Sequence, residues 1–398
     1  MTIICPRTGT RALATGTTVI PAEVGAALII DLDAVAANFR LIRDTCPGAR
    51  VGAAVKANAY GLGVGPVTRA LAAAGCETFF VATPAEGAQL RVLHDDTEIV
   101  VLNGPDAGGL DIFDAARLTP TLNSLEQIAT WSTGAPAARN GAWLHVDTGM
   151  SRLGLGPNEV ETLAAEPSRL HGIKVAGILS HLACADTPDH PMNEAQREAF
   201  DTARTMLAPL IGDVPASLAN SSGAFLGPAF HYDMVRPGAA LYGIRPSAIA
   251  PNPMLQVIDL YAKILQLRDV DTPMTVGYGA AHRVSGPRRI ATLAAGYADG
   301  YPRAAGSTDD QTDHTGGNRM CAYIDGLAAP IAGRISMDLI TIDVTDIPDH
   351  LCRPGQTVEL LGPNASADEL ADAAGTIAYE VLSRLGSRLH VEYRGGAS

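Results

Sequence analysis

No two of the six cysteines stand in a CxxC pair; Cys5, Cys46, Cys76, Cys184, Cys321 and Cys352 are scattered along the 398 residues. That spacing argues against a zinc ribbon or a disulfide framework and suits thiols kept reduced in the cytoplasm. Positive charge is scarce as well. Lys and Arg total 29 against 42 Asp and Glu, a formal net charge of -13, and no basic face is present to neutralise a nucleic-acid backbone. No apolar run is long enough to span a bilayer. The N-terminus, MTIICPRTGTRALATG, lacks the basic start and continuous apolar stretch of a secretory signal. No internal repeat or low-complexity tract stands out. Nucleic acid and membrane are therefore not expected as partners, no metal site is expected, and residence in the cytoplasm is.

What is there is a chain 47% hydrophobic and 18% charged, which suits a globular enzyme with a large core and two domains. Residues 1–27 read as an irregular N-terminal extension. From 28 to 254, apolar runs at 51–55, 78–81, 99–102, 118–121, 143–146, 175–179, 216–218 and 232–235 alternate with helix-like segments. Strict alternation implies a parallel sheet. Eight strands in that length suit a (β/α)8 TIM-type barrel, with a doubly wound open sheet as the alternative that strand counting leaves open. From 255 to 398, runs at 255–267, 290–295, 322–324, 339–344 and 357–361 follow with few helices between them. They predict a mostly β C-terminal domain. The stretch 303–318, rich in Gly, Asp, Thr and Ser, reads as a mobile surface loop.

The most informative stretch is AAVKANAYGLG, where Lys56 ends an apolar run and Gly61 and Gly63 break it. A lysine is almost never buried without a chemical reason, and a desolvated lysine suits Schiff-base chemistry. Other polar residues interrupt the pattern at the same point of each unit: Tyr60, Asp147 and Arg152 in HVDTGMSRLG, His181 in LSHLACAD, Asn220 and Ser221 in LANSSG, and Arg236 in MVRPG. All follow strands, on the face where such barrels carry their active sites. The NSSG turn and the amides of Gly238 and Ala239 in RPGAALYG follow the last two strands, the recurrent phosphate site of this architecture. A lysine beside a phosphate cradle points to pyridoxal 5'-phosphate (PLP).

At this point VKANAYG, DTGMSRLG, SHLACAD, ANSSG, VRPGAALYG, VGYG, GYADGYPR, GRISMD and YEVLSRLG place the chain: it resembles the alanine racemase family, fold-type III PLP enzymes, from about Leu28 to Tyr393. The resemblance implies that Lys56 carries PLP. It puts Tyr60, Asn220, Ser221, Gly238, Ala239 and Tyr379 around the phosphate, Arg236 at the pyridine nitrogen and Arg152 at the phenolic oxygen and the substrate. It implies a homodimer with shared active sites, in which Tyr278 is the second catalytic base and Met337 meets the substrate carboxylate through its amide, both across the dimer. Asp186, Tyr297, Arg303, Arg334 and Asp338 would line the entrance to the substrate.

Inverting a stereocentre needs a proton-transfer group on each face, which Lys56 and Tyr278 would supply. A tyrosine hydroxyl is a poor base at neutral pH, and a relay through His181 and Arg236 is the expected help. Taken alone, Arg334 and Asp338 read as a structural ion pair. The expected activity is interconversion of L- and D-alanine, supplying D-alanine for peptidoglycan. A broader amino-acid racemase, a PLP-dependent decarboxylase and a non-catalytic PLP-binding protein are the alternatives. One departure stands out: where the family often has a carbamylated lysine, this chain has His145, which cannot replace an anion charge for charge.

Overall fold

The computed structural model describes residues 20–134, 141–248, 251–307 and 320–396, and the chain divides into two compact units. Strand β1 (Ala26–Asp31) corrects the expected start of the barrel at residue 28. It pairs antiparallel with β11 (Ile258–Val270) and parallel with β19 (His390–Arg394), so it belongs to the sheet of the second unit. Five of its six residues are buried, which an irregular extension does not provide for; residues 1–19 lie outside the described residues. The barrel unit begins at Asp33 and runs to Leu255.

In that unit the expected first strand is split at Gly52 into β2 (Arg50–Val51) and β3 (Ala53–Ala54). Then follow β4 (Thr78–Val81), β5 (Glu98–Val101), β6 (Thr119–Leu122), β7 (Ala142–His145), β8 (Val175–Leu179), β9 (Ala216–Ser217) and β10 (Met234–Val235). Strands β3 to β9 form one parallel sheet in chain order, and β10 pairs parallel with β2. Hydrogen bonds from Asp233 N to Ala216 O (3.0 Å) and Arg236 N to Ala219 O (2.9 Å) join the β9 and β10 segments. Gly52 N to Val235 O (3.0 Å) and Ala54 N to Pro237 O (2.8 Å) complete the circuit. The sheet is thus curled and closed, which settles the question between barrel and open sheet. Ala54, Phe80, Val100, Trp143, Leu179 and Met234 pack together in its interior, so the barrel is a filled core and not a pore.

Helices connect the strands, among them Leu32–Thr45, Val64–Ala73, Pro84–Arg91, Pro157–Ala165 and Pro191–Ile211. Three of these open on proline, whose missing N–H costs nothing in the first turn. No helix of the described residues is long and apolar enough to cross a membrane.

The second unit is mostly β. Its remaining strands are β12 (Thr275–Val276), β13 (His282–Arg283), β14 (Arg288–Leu293), β15 (Cys321–Ile324), β16 (Leu327–Pro330), β17 (Ile340–Asp343) and β18 (Thr357–Leu361). The long β11 organises it. Its first half pairs with β1 and β18, and from Ile264 onward it pairs with β14, with an irregularity between Ile264 and Gln266 in that ladder. A bulge of this kind bends the strand. Part of the expected surface loop is packed instead: Ala305 and Ser307 are buried, and Ser307 donates its amide to Gly333 O. Residues 308–319 of that stretch lie outside the described residues.

Candidate active site

Three lysines occur in the whole chain, Lys56, Lys174 and Lys263. Lys174 immediately precedes β8, at the N-terminal end of the barrel. Lys263 lies within β11 and donates its ammonium to the carbonyls of Pro21 and Val24. Lys56 alone follows a barrel strand at its C-terminal end. Burial lowers the pKa of its ammonium, the cation of Arg152 lowers it further, and Glu86 works in the opposite direction.

The backbone after Lys56 is unusual. Ala57, Asn58, Ala59 and Tyr60 all have left-handed φ angles, from +53 to +57°, so a full turn runs against the normal hand. Each such residue costs roughly 1–2 kcal/mol, and strain of this kind persists only where the surroundings over-determine it. Here Ala59 N bonds to Val55 O (2.9 Å) and Gly61 N to Ala57 O (2.8 Å). Asn58 Oδ1 accepts from Val64 N (2.8 Å), and Glu86 Oε1 accepts from Ala57 N (2.8 Å).

Tyr60, at the end of the turn, stacks at 4.8 Å on Tyr242. Its hydroxyl occupies the space a side chain at position 238 would need: a Cβ on Gly238 would lie 2.4 Å from Tyr60 Oη. Only glycine fits there. Ser221 Oγ accepts from the amides of Gly238 (2.9 Å) and Ala240 (3.1 Å), and Asn220 Oδ1 accepts from Gly223 N (2.9 Å). Ser221 thus bridges the two loops expected at the phosphate and takes the Gly238 amide in this structure. The three-residue 3-10 turn Gly223–Phe225 is also no full helix terminus. Among the described residues, the amides of Ser221, Ser222 and Ala239 take part in no hydrogen bond. The Ser221 bridge brings their two loops together, and unpaired amides of this kind suit an oxyanion cradle.

Arg236 is buried against the Phe80 ring. Its guanidinium donates to Ser217 Oγ and to Ser180 O, and burial brings its pKa down to about 10, which leaves it a cation at neutral pH. His181 is held well below its ordinary pKa by burial first, then by the cations of Arg236 and Arg152. It is neutral, so the positive end of the expected relay is Arg236 alone. His145 falls to about 3, from burial and then Arg236. Asn123 Nδ2 donates to Leu102 O, Thr121 O and Gln127 Oε1, which turns its Oδ1 toward His145 Nδ1 at 2.7 Å. Nδ1 therefore carries the proton and His145 is a neutral ring among cations.

Asp147 builds the loop that carries Arg152. Its Oδ1 accepts from the amides of Gly149 (2.9 Å), Met150 (2.9 Å) and Ser151 (3.1 Å), and Leu155 N returns to His145 O (2.7 Å). The Arg152 side chain is exposed at the tip. Asp186 is exposed too, and its carbonyl accepts from Ala248 N (3.0 Å).

The other expected residues gather in the second unit. Tyr278 is 70% exposed, between Gly277 at φ +78° and Gly279 at +72°, backbone angles that favour glycine. Arg334 lies against this turn: a Cβ on Gly279 would meet its Nη1 at 3.0 Å. The GYADG and GRISMD segments are joined by Tyr297 N to Ser336 O and Ala298 N to Met337 O, both 3.0 Å. Met337 is exposed and its amide donates to nothing among the described residues. Arg303 is exposed on the neighbouring turn. Tyr379 opens the helix Ala378–Arg384.

The expected Arg334–Asp338 pair does not form. Asp338 pairs with Arg388 (2.7 Å), which also grips buried Asp299 through two 3.0 Å contacts. Sequence reasoning missed Arg388, Asn123 and Glu86. For Glu86 a signal existed, since Thr83-Pro-Ala-Glu86 is a capping box and the structure has one there. Its reach to Ala57 had no signal.

Residues 30–246 match the alanine racemase N-terminal domain and residues 257–393 its C-terminal domain. The chain is 48% identical over 374 residues to alanine racemase of Rhodospirillum rubrum, covering 93% of this chain and 96% of that one. It is 45% identical over 385 residues to the catabolic alanine racemase of Mesorhizobium japonicum, covering 96% and 97%. Among solved structures, alanine racemase from Bartonella henselae with covalently bound pyridoxal phosphate superposes with a TM-score of 0.85 at 35% identity, over 94% of this chain and all of that one. A barrel with one lysine on its C-terminal rim and a β unit bearing VGYG and GRISMD thus has its kin: the chain belongs to the alanine racemase family, enzymes that depend on PLP.

Proposed function

We propose that this chain is a PLP-dependent racemase that interconverts L- and D-alanine with one base on each face of the substrate. The observation that carries this reading is the placement of Lys56, the only lysine on the C-terminal rim of the barrel, beside an oxyanion cradle. The cradle, the depressed lysine and the buried Arg236 cation suit the phosphate, aldehyde and ring of PLP. When bound, PLP withdraws electrons from the amino acid's α-carbon and acidifies its hydrogen.

Lys56 holds the cofactor covalently and, as a free amine, moves the proton on one face. Its lowered pKa makes that amine available closer to neutral pH. Tyr278 of the partner subunit moves the proton on the other face, which makes the working unit a homodimer. Tyr60, Ser221, Gly238, Ala239, Asn220 and Tyr379 surround the phosphate. Arg236 would face the pyridine nitrogen, with His181 neutral beside it. As a cation, Arg236 would keep a proton off that nitrogen. Arg152 orients the phenolic oxygen and the substrate, and the Met337 amide meets the substrate carboxylate. Asp186, Tyr297, Arg303, Arg334 and Asp338 flank the entrance. The product D-alanine would serve peptidoglycan synthesis in the cytoplasm.

Chiral analysis of L-alanine after incubation with protein and PLP tests this reading, beside Lys56→Ala. The wild type should approach equal amounts of both enantiomers and Lys56→Ala should form no D-alanine. A wild type that forms none, or that releases carbon dioxide instead, would sink it. Comparing turnover of alanine with serine, lysine and arginine separates it from a broad-specificity racemase.

A further inference from the structure

The left-handed turn that carries Lys56 and Tyr60 needs an external hold, and one carboxylate outside the expected site supplies it. Glu86 Oε1 accepts from Ala57 N at 2.8 Å, the amide directly after the lysine. Its Oε2 accepts from Ala82 N at 2.8 Å and Thr83 N at 3.3 Å, at the end of β4. Glu86 is also the third residue of the helix Pro84–Arg91, whose cap Thr83 Oγ1 accepts from Glu86 N. One side chain therefore clamps the loop after the first barrel strand to the loop after the second, at the point where the backbone turns left-handed.

A helix cap by itself needs only Oε2. The Oε1 contact does something different, because it fixes the peptide between Lys56 and Ala57. With Ala57–Tyr60 all at positive φ, a rotation of that peptide would carry Tyr60 with it. Tyr60 Oη sits tightly over Gly238, so the clamp also sets one wall of the oxyanion cradle. The Glu86 charge additionally acts on the Lys56 ammonium.

We propose that Glu86 is a positioning residue for this site: through the Ala57 amide it sets the direction of Lys56 and the height of Tyr60 above the phosphate cradle. The inference rests on the reading of Lys56 as the cofactor lysine. Misplacement of a reacting group by about 1 Å can cost on the order of a hundredfold in rate, so the effect should appear in turnover and cofactor affinity and not only in stability.

The test compares Glu86→Gln with Thr83→Ala in the holoenzyme. Glu86→Gln keeps the shape but sets an NH2 group against one of the amides its carboxylate now receives. Thr83→Ala removes the Thr83 hydroxyl from the helix cap and leaves Glu86 on Ala57 N. Both should lower the melting temperature by similar, small amounts. Glu86→Gln should also lower kcat in both directions by about tenfold or more, leave KM for alanine little changed, weaken the PLP dissociation constant and alter the visible absorbance of the bound cofactor. Thr83→Ala should leave all four unchanged. Should Glu86→Gln not fold, Glu86→Asp, which draws the carboxylate back by one methylene, is read against Thr83→Ala in the same way. Equal turnover and equal PLP affinity in the Glu86 and Thr83 variants would overturn the proposal. Borohydride reduction of the wild type with peptide mapping keeps the two readings apart. Cofactor found on Lys174 or Lys263 would overturn the site assignment and this inference with it, whereas cofactor on Lys56 leaves only the role of Glu86 at stake.

Discussion

The barrel rim and the glycine-rich edge of the second unit both carry family motifs but are built in opposite ways. On the rim the charged groups, Arg152 and Asp186 apart, are drawn inward. Arg236 and His145 are buried, and Lys56, His181 and His145 are all pushed toward their neutral forms by burial and by neighbouring cations. On the second unit Tyr278, Met337, Arg334 and Asp338 stand in solvent, the last three on a segment stapled to GYADG by backbone hydrogen bonds. The contrast teaches that a rim residue serves stability and chemistry together, whereas an edge residue can be changed with little effect on folding.

Substituting Tyr278 by Phe breaks that contrast most sharply if it is wrong. Racemisation should fall by about 10²–10⁴-fold, with unfolding free energy within about 0.5 kcal/mol of wild type. A large stability loss measured in a urea titration would mean that the edge is not independent of folding. Arg236→Gln is the opposite case. It withdraws donors from Ser180 O and Ser217 Oγ in a buried site and should cost about 1–3 kcal/mol as well as activity. A variant with lost activity and unchanged stability would contradict the rim's double role.

Gly238→Ala tests the cradle more gently. Its Cβ would collide with Tyr60 Oη, and overpacking of about 1–3 kcal/mol should show as weaker PLP binding in a fluorescence titration. Unchanged affinity would mean that Tyr60 moves freely. A further effect is in acid. His145 has an ordinary pKa of 6.5 and a folded value of about 3, so in that interval the unfolded chain binds a proton that the folded chain refuses. Stability from this group is complete above pH 6.5 and is lost as pH falls toward 3. The melting temperature should therefore drop on acidification, and His145→Gln should flatten part of the slope. An identical slope in the variant would remove His145 from the account.

Much of the fold was legible because burial imposes period and length. The runs 78–81, 175–179 and 357–361 became strands with those bounds, since each is an apolar run with one core to join. The strand Ala26–Asp31 was not legible as part of the second unit, although LIID is as apolar as any barrel strand. Its partners lie more than 220 residues away in β11 and more than 350 away in β19, and no local pattern encodes a partner. The loop at 303–307 was misread for a related reason: its composition is that of a turn, but Gly333 gives its backbone a partner inside.

The sequence by itself determined the kind of chemistry present: one lysine at a strand's end, arginines where a barrel gathers them, and motifs in the order of one enzyme family. Those follow from residue type and spacing, which need no coordinates. Only the tertiary structure decided how the groups are held. The reversed hand of the turn after Lys56, the Ser221 bridge onto Gly238, the Asn123 contact that fixes the proton on His145 and the Arg388 grip on Asp299 and Asp338 all join residues distant in the chain. Hydrogen-bond geometry and burial are properties of neighbours in space, and the chain acquires those neighbours only when the barrel closes and the β unit folds.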